Sequence, residues 1–99
     1  MIHPPQTMQG TLWSAPISSL DIEDNRVYII HQVLAFGILE DVRWLFQTYS
    51  KKSIRKTFLE SPVKTYTRAA FNFSKLLLDV NDTDCQKDLY DRLAPRHLG

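Results

Sequence analysis

Apolar side chains recur along this chain at intervals of three and four residues, the spacing that places them on one face of an α-helix. The pattern predicts helices near residues 26–36, 39–49, 51–59, 68–78 and 84–93. Neither Asn-Gly nor Asp-Gly, the common hairpin signals, occurs in the chain. We therefore expect an all-α fold, a single domain of four to five short helices.

The helix at 26–36 is the least obvious of these, because its residues are apolar nearly all round. Val27 to Ile30 alone could form a short strand. The continuous 3.6-residue period and the capping-type residues at 21–25 favour a buried helix instead. Gly37 follows at the position of the glycine that ends many helices.

The later helices have clearer boundaries. Glu40 and Asp41 lie at the positive end of the 39–49 helix. Ser50 and Thr67 are expected to cap the helices at 51–59 and 68–78. The residue before Pro62 is disfavoured in helical conformation, which ends the third helix.

The predicted core contains the apolar positions that these helices share on one face. They are Ile30, Val33, Leu34, Leu39, Val42, Leu45, Phe46, Ile54, Phe58, Phe71 and Leu77.

The two ends of the chain are predicted to lie outside the core. Residues 1–11, with adjacent prolines and Gly10, predict a flexible arm, residues 12–94 the helical domain, and residues 95–99 a short tail. Trp13 is expected to hold the arm against the core, because so large an apolar ring is rarely left in water.

The distribution of charge along the chain says more about possible partners than the overall composition does. The net charge is only +1, yet residues 43–78 hold eight basic residues and one acid, a net of +7. Residues 1–42 carry −4 and residues 79–99 carry −2. A basic centre between acidic ends indicates an anionic partner, either nucleic acid or an acidic protein, although a solvated face gives the same pattern. The candidate binding residues are Lys51, Lys52, Arg55, Lys56, Lys64 and Arg68, expected to form one exposed positive surface.

The helices at 39–49 and 51–59 resemble a helix-turn-helix, with basic residues near the start of the second helix, where recognition helices meet base edges. The turn between them contains no glycine. The second helix contains no Asn or Gln, the usual adenine readers, although Arg55 could read guanine. Binding to DNA and binding to a protein therefore both remain open.

Residues suited to catalysis or metal binding do not form a recognisable set. His31 could be a general base, a metal ligand or a histidine at the margin of the core, with one nitrogen satisfied. Cys85 could be a reactive thiol or a small half-buried side chain. Asn72, between two phenylalanines, could be a surface amide or a buried one that bonds a neighbouring helix. The acids at 79–84 lack the central glycine and final glutamate of a calcium loop. We expect no enzyme activity, cofactor or metal.

The cysteine content and the apolar runs of the chain predict where the protein is located. A lone cysteine favours a reducing, cytoplasmic setting. No apolar run is long enough to span a bilayer, and the first residues do not form a secretory signal.

A longer motif adds a family resemblance. It consists of Gly37-x-Leu39-Glu40-Asp41-x-x-Trp44-Leu45, followed by Ile54-Arg55 and by Phe71-Asn72-Phe73. Over residues 12–80 the chain resembles a family of small uncharacterised bacterial helical proteins associated with nucleotidyltransferase-fold toxins of the abortive-infection kind. Ile38 departs from that family's pattern, which more often has a helix-capping residue there.

The resemblance implies an antitoxin-like or accessory role, with autoregulatory DNA binding as a further expectation. It supplies no catalytic residues. The sequence therefore favours a non-catalytic protein-binding module, and a DNA-binding transcriptional regulator is the alternative. A small hydrolase or metal protein would need residues that the chain lacks.

Overall fold

The computed structural model describes residues 2–93 and contains helices α1 (Arg26–Phe36), α2 (Leu39–Thr48), α3 (Lys51–Glu60) and α4 (Arg68–Leu78). Short 3-10 turns occur at Gln6–Met8, Ile17–Ser19 and Lys87–Leu89. Residues 2–93 form no β-strand, and an isolated bridge joins Tyr66 to Asp91. The all-α prediction is confirmed.

Helix α1 lies at the centre of the fold and packs against α2, α3 and α4, while α3 also packs against α4. Its position follows from its sequence, because a helix that is apolar all round can only be buried. Ile29, Ile30 and Val33 are fully buried.

The predicted caps of α3 and α4 are confirmed. Ser50 accepts a hydrogen bond from the Ser53 N–H, and Thr67 accepts one from the Ala70 N–H. Both satisfy an N–H group that has no partner within its own helix. Helix α4 ends at Asp79, whose φ of 54° lies in the left-handed region.

The connection between α1 and α2 depends on the close approach of Gly37 to the backbone of Val33. Gly37 ends α1 with an extended φ of −70° rather than the left-handed conformation of most helix-ending glycines. A Cβ atom there would lie 2.6 Å from the Val33 carbonyl oxygen, so only glycine fits. Ile38 cannot cap α2, and Asp41 instead accepts from the Ile38 N–H at 3.2 Å and from the Thr11 hydroxyl at 2.7 Å.

The core prediction holds for most of its residues. Eight are buried: Ile30, Val33, Leu34, Val42, Leu45, Ile54, Phe58 and Phe71. Phe46 and Leu77 are partly buried and pack against this core. The prediction for Leu39 is wrong, because its side chain is 70% exposed. The buried side of α2 runs through Asp41, Val42 and Leu45, and Leu39 lies about 100° away around the helix.

The predicted helix at 84–93 is also wrong. This segment consists of turns and one 3-10 turn, and Leu93, which would lie on the apolar face of such a helix, is 81% exposed. Tyr90 is the residue that enters the core. The Tyr66 N–H donates to the Tyr90 carbonyl, and the Arg92 N–H donates to the Tyr66 carbonyl. These contacts pair the backbone of this segment with Tyr66 in an isolated bridge, in place of the hydrogen bonds of a continuous helix.

The described part of the predicted flexible arm packs against the domain. Pro4 and Met8 are buried, and the Ile22 N–H donates to the Ile2 carbonyl. Trp13, expected to hold this segment in place, is 56% exposed, with its ring centroid 4.8 Å from that of Phe36. Leu12, next to Trp13 in the sequence, is the side chain that reaches the core. The predicted tail, 95–99, lies outside the described residues.

Candidate functional site

The structure divides the basic residues that were expected to form one surface. Lys51 and Arg55 lie on one side of α3, next to the segment that follows α4; we call this side the turn-facing edge. Lys52 and Lys56 lie on the other side, beside α1; we call it the groove-facing edge.

The turn-facing edge is neutralised within the molecule. The Lys51 ammonium pairs with Asp79, and the Arg55 guanidinium lies 3.7 Å from a carboxylate oxygen of Asp84. We call residues 79–84 the acidic turn; its remaining acid, Asp82, pairs with Lys75 on α4. Hydrogen bonding to Lys51 and its positive charge lower the pKa of Asp79 below its usual value, so this carboxylate is ionised at neutral pH.

The groove-facing edge opens onto a shallow groove of about 300 Å³ between α1 and α3. Arg26, at the start of α1, adds a third cation to its lining, and Glu60 is the one acid there. The other lining residues are Val27, Ser50, Ser53, Thr57 and Ser61. Within residues 2–93, no carboxylate forms an ion pair with Lys52 or Lys56.

The last two predicted residues lie away from both edges. Lys64 is partly buried in the connection between α3 and α4. Arg68 is exposed at the start of α4, where it lines cavities together with Phe71 and Lys87. The single surface expected from the sequence is therefore two edges of α3 with different electrostatic surroundings, plus two separate cations.

His31 is buried, and both of its ring nitrogens have partners. Nε2 lies 2.7 Å from the Ser61 carbonyl, and Nδ1 lies 2.7 Å from the Tyr66 hydroxyl. Because a carbonyl only accepts, Nε2 carries the proton and Nδ1 accepts from Tyr66. Burial lowers the pKa of His31, which favours this neutral form. His31 therefore lies inside the core rather than at its margin, and both of its ring nitrogens are satisfied rather than one.

Four aromatic rings pack beside His31, and one of them bonds to a backbone carbonyl at the end of α3. The centroids of Phe58 and Tyr90 are 4.7 Å apart, and Phe71 and Tyr66 join the cluster. The Phe58 carbonyl would normally accept from residue 62, but that residue is a proline and has no N–H. The Tyr90 hydroxyl donates to it instead, at 2.7 Å.

Sequence reasoning missed Tyr66 and Tyr90, because both lie in irregular segments without an apolar period. For Tyr90, the signal that could have found it is the proline after α3, which leaves the Phe58 carbonyl in need of a donor. A tyrosine combines that donor with a ring that the core can bury.

The remaining candidate residues show no converging chemistry. Asn72 is exposed, so the surface-amide interpretation holds. Cys85 is partly buried, and burial raises the pKa of its thiol. Within residues 2–93, no three acidic, histidine or cysteine side chains lie close enough together to hold a metal ion. In the same part of the chain, no helix has the length and apolar character needed to cross a membrane.

Comparison with known proteins adds one finding. No curated protein and no solved structure matches the chain. A protein-family model does match over residues 9–58, a range that contains α1, α2 and both basic edges of α3 but not the acidic turn. The description of that family names neither an activity nor a partner. With half of its length matched, the chain belongs to the family of unknown function DUF6922.

Proposed function

We propose that this chain is a non-catalytic protein-binding module, an antitoxin-like or accessory partner of a nucleotidyltransferase-type toxin in the bacterial cytoplasm. The observation that carries the proposal is the groove-facing edge of α3. Lys52 and Lys56, with Arg26, hold positive charge over an open groove, and no carboxylate of residues 2–93 pairs with either lysine. Such a surface is complementary to an acidic surface on another molecule.

Exposed apolar side chains support a protein partner. Phe36, Ile38 and Leu39 lie at the junction of α1 and α2, and Trp13 contacts Phe36. The side chains of Ile38 and Leu39 are 63% and 70% exposed. Apolar groups in water at one place on a small domain are typical of protein-binding surfaces, where tryptophan is enriched.

The state of the titratable groups supports a non-catalytic role. A general base needs a free nitrogen, and both nitrogens of His31 are bound to groups inside the protein. A nucleophilic cysteine needs a lowered pKa, whereas burial raises that of Cys85.

The proposal is tested by reversing charge on α3. In the double variant Lys52→Glu, Lys56→Glu, shown to remain folded by circular dichroism, we expect the amount of partner recovered from the native host to fall at least tenfold. The control Lys87→Glu, Arg92→Glu changes the same charge on exposed residues outside α3 and should recover the partner normally. Equal recovery by both variants would exclude α3 as the interface. Failure of the wild-type chain to recover any specific partner would refute the proposed function.

DNA binding is the second candidate, favoured by the short connection between α2 and α3 and the basic start of α3. The pairing of Lys51 and Arg55 with the acidic turn weighs against it, because Asp79 and Asp84 lie beside the residues that would approach phosphate. Duplex binding whose logarithmic salt slope falls by about one unit for each lysine removed would favour DNA over the protein partner.

A further inference from the structure

Helix α3 shows within one molecule how its basic residues bind carboxylates. On the turn-facing edge, Lys51 and Arg55 are one helical turn apart and pair with Asp79 and Asp84. Lys52 and Lys56 on the groove-facing edge have the same spacing, which places them side by side on the helix surface. Within residues 2–93, neither of them has an ion-pair partner. Helix α3 thus carries one pair of cations that bind carboxylates of this chain, and a second pair that binds none among the described residues.

The groove-facing edge also carries one negative charge, that of Glu60. Lys52, Lys56 and Glu60 follow one another at intervals of four residues, so they form a single row along the groove. Glu60 forms no ion pair with any described residue. The row therefore presents two positive charges followed by one negative charge, and Arg26 adds a positive charge from α1.

We propose that this groove binds an acidic segment of a partner protein, with two carboxylates opposite Lys52 and Lys56 and a basic side chain opposite Glu60. The inference rests on the proposed function, because it names the part of the partner that the module recognises. A helical segment satisfies the spacing, since residues four apart lie on the same face. The groove volume of about 300 Å³ accommodates a few side chains but not a second domain.

A segment of protein suits this row better than a nucleic acid backbone does. Phosphates carry one sign of charge, so a strand lying along the row would meet the carboxylate of Glu60. A strand that crossed α3 would meet the acidic turn on the other side. A peptide can reverse its charge from one residue to the next and so match all three positions.

The test uses helical peptides in an alanine-rich background with capped ends. One probe has the order Glu-x-x-x-Glu-x-x-x-Lys and a second has the reverse order, because a helix can lie in the groove in either direction. The matched control, Glu-x-x-x-Lys-x-x-x-Glu, has the same composition but fits the row in neither direction. Amide chemical shifts of the wild-type chain are followed at low salt during each titration.

We expect saturable shifts around the groove with one of the two probes and binding about fivefold weaker with the control. In the variant Lys52→Gln, Lys56→Gln the dissociation constant of that probe should rise about tenfold, as expected for two lost ion pairs. The matched variant Lys51→Gln, Arg55→Gln should change it less than about twofold. The variant Glu60→Lys should reverse the preference and favour a peptide with three glutamates.

Three results would overturn the inference: shifts confined to another surface, equal weakening by the two double variants, or no saturable binding of either probe. Tighter binding of duplex DNA than of the probes, lost in the Lys52, Lys56 variant, would assign the groove to nucleic acid. The result is separable from the proposed function. If the partner is recovered but the peptides fail, only the groove assignment is wrong; if the peptides bind but no partner exists, the proposed function is wrong.

Discussion

The two irregular segments of this domain, residues 2–25 and residues 79–93, differ in what holds them against the helices. The first buries four apolar side chains, Met8, Leu12, Ile17 and Leu20, and polar side chains bond to its backbone groups. The second buries Val80 and Tyr90 and has ion pairs at its surface. Burial is therefore spread over several small side chains in the first segment and concentrated in one aromatic ring in the second.

Gln9 and Asp21 organise the first segment. The Gln9 side-chain nitrogen donates to the Leu12 and Ala15 carbonyls, and its oxygen accepts from the Ile17 N–H. Asp21 accepts from the backbone N–H groups of residues 2, 23 and 24. These N–H donors lower the pKa of Asp21, so the carboxylate remains ionised.

Tyr90 organises the second segment. Its ring packs against both Phe58 and Phe71, and its hydroxyl donates to the carbonyl that Pro62 leaves without a helical partner. The acidic turn before it contributes contacts between exposed charges. One residue therefore supplies most of the burial, and the rest of the segment lies near the surface.

If this comparison is right, truncating Tyr90 should have the largest effect of any single change in either segment. Tyr90→Ala removes a buried ring and should lower the free energy of unfolding by about 3–5 kcal/mol. Tyr90→Phe keeps the ring but leaves the Phe58 carbonyl unpaired, which should cost about 1–3 kcal/mol. Urea denaturation followed by circular dichroism measures both. Equal losses in the two variants would show that the hydrogen bond, not the ring, holds this segment.

The next largest effect should come from Gln9. Gln9→Ala removes three hydrogen bonds to the backbone and should cost about 1–3 kcal/mol. Gln9→Glu has the same shape but places a carboxylate oxygen against the Leu12 and Ala15 carbonyls, so it should destabilise the protein at least as much. The same denaturation experiment compares them. A glutamate variant as stable as the wild type would mean that shape, rather than hydrogen-bond direction, matters here.

The same contrast explains what sequence reasoning could reach. The starts of all four helices were predicted to the residue, because apolar spacing and the caps Ser50 and Thr67 act within a few positions. Tyr90 and Phe58 are 32 residues apart, and no local pattern connects them. The basic charge on α3 was evident from composition. Its division into two edges was not, because it depends on where the acidic turn folds back onto Lys51 and Arg55.

A smaller effect should appear as a pH dependence of stability through His31. Burial lowers the pKa of His31 in the folded protein below its unfolded value of about 6.5. Between these two values the unfolded chain binds more protons, so stability is full above about pH 6.5 and falls as the pH is lowered, by at most about 1.4 kcal/mol per pH unit. Denaturation midpoints between pH 7.5 and 5 measure the slope. In His31→Gln the slope from this residue should disappear; an unchanged slope would assign it to other groups.

The smallest effect should come from the ion pairs of the second segment, and Asp79 separates charge from backbone conformation. Asp79→Asn removes the charge that faces Lys51 but keeps a residue that tolerates a φ of 54°. Because both partners are largely exposed, we expect only a slight drop in melting temperature, and the difference from the wild type should vanish as added salt screens the pair. Asp79→Gly should match the asparagine variant, whereas Asp79→Ala should be less stable than both, since alanine is strained in this conformation. A large loss in Asp79→Asn that persists in high salt would show that this carboxylate holds the segment as Tyr90 does, and the contrast between buried ring and surface charge would fail.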